Sequence, residues 1–253
     1  MQKKPKGFDI EVKSREFAAQ KRKIEQYVKT GLGKGKDLTN DEIILAYLNK
    51  RRGDANTGID LSGAYLGGAE LEGSRFIQTN LEGADLSHAY LDGTYFWKVN
   101  LKDVDFEFTS LRGAVFENCD LTNTNFKDAQ LNGIEISKTK LCHANFSNSN
   151  LSGADLYGSD LEGTDLSYCN LNGAKMNGLD LRNTKFNEFT TLKGSNLLQT
   201  NLSKVDLRDI DMYGSCLSGA NLSGANLEGA DLNGADLEGA DLTDANLRNT
   251  QGV

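Results

Sequence analysis

The chain has 253 residues, enough to bury a sizeable core, and a formal charge of −8 from 36 Asp and Glu against 28 Lys and Arg. No run approaches the roughly 18 consecutive apolar residues of a membrane span. The first thirty residues are charged and hold no apolar stretch of a secretory signal, so a cytoplasmic location is expected.

The charge is divided unevenly. Residues 1–58 hold 14 Lys and Arg and 8 Asp and Glu, a net of +6, whereas residues 59–253 hold 14 and 28, a net of −14. A basic head therefore precedes an acidic body. The body should repel nucleic acid rather than bind it directly, and suits a protein partner with a basic surface.

In chain order, residues 1–8 read as a frayed end. Residues 10–30 read as a helix whose apolar face uses Phe17, Ile24, Tyr27 and Val28, with Gly31 as its stop. The stretch Gly31 to Lys36 superficially suggests a phosphate loop. Only three residues separate Gly31 from Gly35, and Asp37 stands where Ser or Thr is needed, so it reads as a flexible linker. A second helix is expected over 40–51. Thr39 is its candidate N-cap with Glu42 three residues on, Ile43, Ile44, Tyr47 and Leu48 form its apolar stripe, and Gly53 breaks it. It leads almost directly into a repeating region at Ile59, and so is placed to cap it.

From Leu61 a large apolar residue recurs every five positions, through Leu66, Leu71, Phe76 and Leu81 to Phe186, making 26 centres in register. One extra residue falls within 188–191. The period resumes at Leu192 and runs to Leu247, adding 12 centres. Of these 38 centres, 28 are Leu, 7 Phe, 2 Met and 1 Ile. Helices repeat near 3.6 and strands at 2, so a period of five means a stack of like units. Two residues before each centre stands a small residue, usually Ala, Ser, Thr or Cys; the exceptions are Ile59, Val99, Val104, Ile134, Leu179, Val205 and Ile210. Alternating small and large inward positions imply a narrow, densely packed core. Cys119 and Cys169 take the small position, while Cys142 and Cys216 flank centres and face outward. None has disulfide or metal spacing, as suits a reducing compartment.

Ala220-Asn221-Leu222 and Ala230-Asp231-Leu232 match the A-(D/N)-L-x-x unit of the pentapeptide-repeat proteins, and residues 59–249 resemble that family throughout. The resemblance implies a mainly β fold: a right-handed quadrilateral β-helix with four repeats to a coil. It implies about nine and a half coils, a rod roughly 45 Å long at the usual inter-strand spacing, and a small α-helical N-terminal cap. Residues 1–58 would be the helical region and 59–250 the solenoid, with a one-residue insertion near 188–191. Residues 20 apart then stack. Phe76, Phe96 and Phe116 form one core column, continuing to Ile136. Phe106, Phe126 and Phe146 form another, with Phe186 further along.

Outward positions that are not polar are the informative ones. Ile77 and Trp97 follow centres 20 apart, Tyr95 precedes the same centre as Trp97, Val115 lies one coil beyond Tyr95, and Tyr90 stands on the adjoining face. Together they read as an apolar and aromatic patch. It would receive the N-terminal helix, a partner protein or second copy, or nothing. Phe189 sits at the insertion, where it either plugs the defect or marks an exposed contact.

No catalytic constellation is evident. His88 and His143 sit on different faces nearly three coils apart with no third ligand, so no metal or other cofactor is expected. The carboxylates stand on convex, solvated faces, and general acid–base work needs a pocket. The expected function is non-catalytic protein–protein interaction or scaffolding by a rigid acidic rod. The family resemblance also implies an alternative: a DNA mimic that binds a type II topoisomerase such as gyrase. The basic head and the lack of an apolar C-terminal helix weigh against that alternative. A secreted bacterial effector is a third reading. After Leu247 no apolar segment closes the last coil, which either pairs end to end with a second copy or frays.

Overall fold

The computed structural model describes residues 55–58 and 60–253. The expected helices over 10–30 and 40–51, and their role as a cap, lie outside the described residues.

Each repeat makes one short extended segment and one corner. Where the residue before a centre is Asp or Asn, its side chain braces the corner: Asp60 Oδ1 accepts the backbone N–H of Ser62 at 3.1 Å, and Asp85 Oδ1 that of Ser87 at 2.9 Å. This is the local carboxylate or amide turn that Asp and Asn favour. The corner residue, two after the centre, has a positive φ at every repeat except those of Leu181 and Phe186, for example 66° at Gly93 and 54° at Asn118. That conformation suits Gly, and next best Asn and Asp.

Corners at this interval bring the chain back over itself every 20 residues. Strands β1 (Ala55–Thr57), β2 (Arg75–Ile77), β3 (Tyr95–Trp97), β4 (Val115–Glu117) and β5 (Glu135–Ser137) form one parallel sheet in chain order. Its register places Phe76 opposite Phe96 and Phe96 opposite Phe116. Three more columns of parallel bridges share that step, beginning at Asp60↔Asn80, Tyr65↔Asp85 and Glu70↔Tyr90. Leu61 N–H donates to Asn80 O at 2.7 Å, and Asp85 N–H to Ala64 O at 2.9 Å, so adjoining coils are tied in both directions. The result is a four-columned parallel β-solenoid.

The core is the filled interior of the coil. Phe76, Phe96, Phe106, Phe116, Phe126 and Phe146 are fully buried. Phe76, Phe96 and Phe116 stack with centroids 5.2 and 4.5 Å apart, and Phe106, Phe126 and Phe146 with centroids 5.0 and 4.6 Å apart. The two columns also meet edge to face, as in Phe96–Phe106 at 6.5 Å and Phe106–Phe116 at 6.3 Å. Six rings thus form one interlocked zipper, in the geometries aromatic quadrupoles prefer. Inward threonines reach the preceding coil, as Thr94 and Thr124 donate to Leu71 O and Leu101 O at 3.0 Å, whereas the hydroxyls of Ser74, Thr184, Ser195 and Ser215 are buried without a partner. Cys119 and Cys169 are buried and Cys142 and Cys216 half-buried, all as free thiols. Towards the C-terminal end Ala235, Leu237, Leu242 and Ala245 pack only partly against this core.

The extra residue is absorbed between Phe186 and Leu192. Bridges step by 21 across it, Asn170↔Thr191, Lys175↔Asn196 and Asp180↔Asn201, then return to 20 at Thr191↔Asp211. Asn187 to Thr190 form a tight turn, closed by Thr190 N–H donating to Asn187 O at 2.9 Å. Asn187 Oδ1 also accepts Tyr168 N–H at 2.8 Å, which elsewhere would bond to a backbone carbonyl of the next coil. Thr190 Oγ1 still reaches Leu166 O at 3.0 Å, so the inward pattern survives the insertion. Among the described residues no bridge joins Lys185 to Asp206.

Candidate functional site

The sheet of β1–β5 carries most of the patch expected from sequence. Ile77 and Trp97 are register partners, as are Tyr95 and Val115. All four are half-buried, flanking the buried centres Phe76, Phe96 and Phe116. The patch is fixed in place by polar contacts. Lys98 Nζ lies 4.5 Å from the Trp97 ring centroid, and the Arg75 guanidinium lies 5.4 Å from that of Tyr95. Tyr95 Oη donates to Glu117 Oε2 at 2.9 Å. Burial and that carboxylate together raise the Tyr95 pKa above the ordinary tyrosine value. Tyr90 stands on the neighbouring column, bridged to Glu70 and Ser110, and is 53% exposed.

A cluster of lysines borders the patch. Lys98, Lys102 and Lys140 line an open cleft of about 310 Å³ with Asp120. Asp120 lies 3.5 Å from Lys102 Nζ and 3.7 Å from Lys140 Nζ. Burial opposes its ionisation, but hydrogen bonds from Thr122 and the two ammonium groups outweigh that and hold the carboxyl below its usual range. Elsewhere cations and carboxylates alternate between coils, as in Lys175–Asp155 at 3.1 Å and Lys185–Asp165 at 2.7 Å. Exposed pairs of this kind set local charge more than stability.

Phe189 does not enter the core. It is 58% exposed and stacks on Tyr168, with centroids 5.2 Å apart and planes 6° from parallel. His88 and Phe108 make a matching stack on the same corner, at 5.1 Å and 13°. Phe108 and Tyr168 hold φ values of 58° and 60°, a conformation that bulky side chains rarely adopt. Sequence reading missed these pairs, although a signal was present: an aromatic residue two places after a centre, where Gly, Asn and Asp prevail. His143 lies at another corner, against Gly163.

Among the described residues no group of three or more His, Cys, Asp or Glu could hold a metal ion, and no helix is long and apolar enough to cross a membrane. Two further concavities among the described residues lie on the outer surface. One of about 400 Å³ is lined by Tyr157, Asn177, Leu198 and Gln199; another, of about 360 Å³, lies at the insertion.

Comparison with known proteins agrees with this geometry. Residues 69–146 match the family described as a pentapeptide repeat region, and residues 135–167, 164–188, 188–219 and 220–251 match pentapeptide repeats in eight copies. The chain is similar to HetL, a pentapeptide repeat protein involved in heterocyst differentiation regulation from the cyanobacterium Nostoc sp. strain PCC 7120. Identity is 31%, over 85% of this chain and 98% of that one, with a TM-score of 0.77. QnrB1, a plasmid-mediated fluoroquinolone resistance protein, is 22% identical over 74% of this chain and 92% of its own, with a TM-score of 0.48. Rfr23, a pentapeptide repeat protein from the cyanobacterium Cyanothece 51142, is 28% identical over 47% of this chain and 64% of its own, with a TM-score of 0.24. No curated protein matches the chain.

Proposed function

The chain belongs to the pentapeptide-repeat family, and from that premise we propose that it is a non-catalytic interaction module whose rigid solenoid presents a partner-binding face. The observation that carries this reading is the outer surface of β2–β4. There Ile77, Tyr95, Trp97 and Val115 form adjoining register pairs on a rod whose other outward columns are largely polar. Trp and Tyr anchor interfaces because they bury large, rigid surface at little entropic cost. Tyr90 extends the contact surface around the corner. The similarity to HetL, a protein involved in regulating differentiation, supports a regulatory interaction rather than a reaction.

The test is Trp97→Glu. The variant should keep its circular dichroism spectrum and lose the partners that the wild-type protein retains on affinity capture from its own cells. Retention of the same partners would refute the patch.

The DNA-mimic alternative draws on the acidity of the rod, which suits a basic partner such as a DNA-binding surface. Its carboxylates are interrupted, however. One outward column reads Asp60, Asn80, Asn100, Asp120, Lys140, Asp160, Asp180, and several carboxylates are already paired with lysine or arginine. Gyrase supercoiling measured with and without a quinolone decides it. Salt-sensitive inhibition or protection would favour the mimic, and no effect at micromolar protein would remove it for gyrase.

A further inference from the structure

The acidity of the coil is not uniform. Residues 98–140 hold 6 Lys and Arg against 7 Asp and Glu, whereas residues 59–97 hold 1 against 6 and residues 141–253 hold 7 against 15. Three of those cations meet beside the Trp97 patch. Lys98, Lys102 and Lys140 line the open cleft of about 310 Å³, in which Asp120 is the one acid. Among pairs within the described residues Asp120 is also the one carboxylate that two lysines share, Lys102 at 3.5 Å and Lys140 at 3.7 Å. Its side chain is 21% exposed against 45% and 68% for theirs, so the acid is the enclosed group and the ammonium groups stay open to solvent. Lys98 makes no ion pair among the described residues and rests its ammonium on the Trp97 ring, 4.5 Å from the centroid. Elsewhere the ratio is level or reversed: Lys175 has Asp155 to itself, and Lys127 lies between Glu107 and Asp128.

We infer that the partner bound at the Trp97 face presents a short acidic segment, whose carboxylates meet Lys98, Lys102 and Lys140 while an apolar side chain covers the Trp97 ring. This rests on the interaction surface proposed above and names the chemistry of what binds there. The rod as a whole suits a basic partner, but within this cleft the surplus charge is positive, and a partner must match the cleft it enters. The chain's own head, with a net of +6 over residues 1–58, has the wrong sign to fill it. Length is limited as well. Lys98 and Lys140 stand two coil steps apart, about 10 Å at the usual inter-strand spacing, which three or four extended residues cross. A longer polyanion such as a nucleic acid would run onto the acidic coils on either side and be repelled there. A short peptide segment stays within the cleft and reaches the aromatic anchor through Lys98.

Trp97 is the single tryptophan of the chain, so its fluorescence reads this site directly. The test titrates the full-length protein with the peptide acetyl-Leu-Glu-Asp-Glu-amide at low ionic strength. A saturable change in Trp97 emission is expected, with binding about five- to tenfold tighter than that of the uncharged acetyl-Leu-Gln-Asn-Gln-amide, as three exposed ion pairs allow. That margin should shrink towards parity at about 0.5 M salt. K98Q/K102Q/K140Q should remove it with the dichroism spectrum unchanged, whereas K185Q/K193Q should keep it. Equal binding of the two peptides, a margin that survives the triple substitution, or no saturable response would overturn the inference. So would a single-stranded DNA oligonucleotide or inorganic phosphate that binds as tightly as the acidic peptide. Affinity capture separates this inference from the surface it rests on: if Trp97→Glu loses the cellular partners and K98Q/K102Q/K140Q retains them, the face stands and its acidic partner falls.

Discussion

Phe96 and Phe116 lie parallel in the core, their centroids 4.5 Å apart and their planes 9° from coplanar, while both meet Phe106 edge to face. Phe106 therefore touches both columns at once. Its removal should leave a hole that the coil cannot close, because neighbouring centres are fixed by the backbone ladder. Phe106→Ala is expected to destabilise by about 3–5 kcal/mol, and Phe106→Leu by clearly less. Urea denaturation followed by circular dichroism checks the order of the two.

The corner aromatics should behave in the opposite sense. Phe108 holds φ 58° and stacks on His88. A left-handed non-glycine residue costs roughly 1–2 kcal/mol, and an exposed ring pair returns about 0.5–1 kcal/mol. Phe108→Gly should therefore leave the denaturation midpoint unchanged or raise it. A marked fall would show that the stack, rather than strain, dominates at this corner.

How far the sequence reached follows from which residues repeat. The centres and small positions recur every five residues, so the solenoid, the aromatic columns and the site of the insertion were legible from Leu61, Ala64 and their successors. The edge-to-face contacts between columns were not, since they depend on ring orientation across the coil rather than on period. Phe189 was visible as an irregularity. Its pairing with Tyr168 was not, because a one-residue shift decides whether that ring turns inward or joins the corner. Of the patch, the register pairs Ile77–Trp97 and Tyr95–Val115 follow directly from the spacing of 20. Their bracing by Lys98, Arg75 and Glu117 follows only from side-chain positions.

Thiol reactivity should separate the four cysteines. Burial pushes the thiols of Cys119 and Cys169 up to about 12. Neither should react with iodoacetamide near neutral pH while the protein is folded. Cys216 is half-buried and should be modified first. Cys142 should be slower, since burial and its hydrogen bond to Asp160, 3.2 Å away, both raise its pKa. Asp160→Asn should quicken Cys142 alone. Peptide mass mapping after timed quenching resolves the order.

Acid should loosen the coil through its paired carboxylates. Burial opposes ionisation of Asp165, but hydrogen bonds from Lys185 and Ser167 and the Lys185 charge outweigh it, so its pKa lies below the ordinary value. A folded pKa below the unfolded one gives stability that is present above about pH 4 and is lost as pH falls through the folded value. Asp120 acts in the same direction. The urea midpoint should be flat from about pH 7 to 5 and fall below about pH 4. Asp165→Asn should make that fall shallower. An unchanged slope would assign the acid sensitivity to other groups.

Removing the insertion separates its structural cost from any use it has. Deletion of Phe189 leaves Leu192 five residues beyond Phe186 and restores the 20-residue step to every later bridge. Glu188 then occupies the corner position, where φ is positive at nearly all the other repeats, so Glu188→Gly belongs in the same variant. Lys185 should then be able to bridge Asp206, and each regained backbone hydrogen bond is worth about 1 kcal/mol. Against this stand the Tyr168–Phe189 stack and the bond from Asn187 Oδ1 to Tyr168 N–H, whose acceptor becomes a backbone carbonyl again. The expected result is an equal or higher denaturation midpoint in urea, read by circular dichroism. A variant that falls in stability would show instead that the turn from Asn187 to Thr190 relieves a mismatch between the coils before and after it, making the extra residue a structural joint.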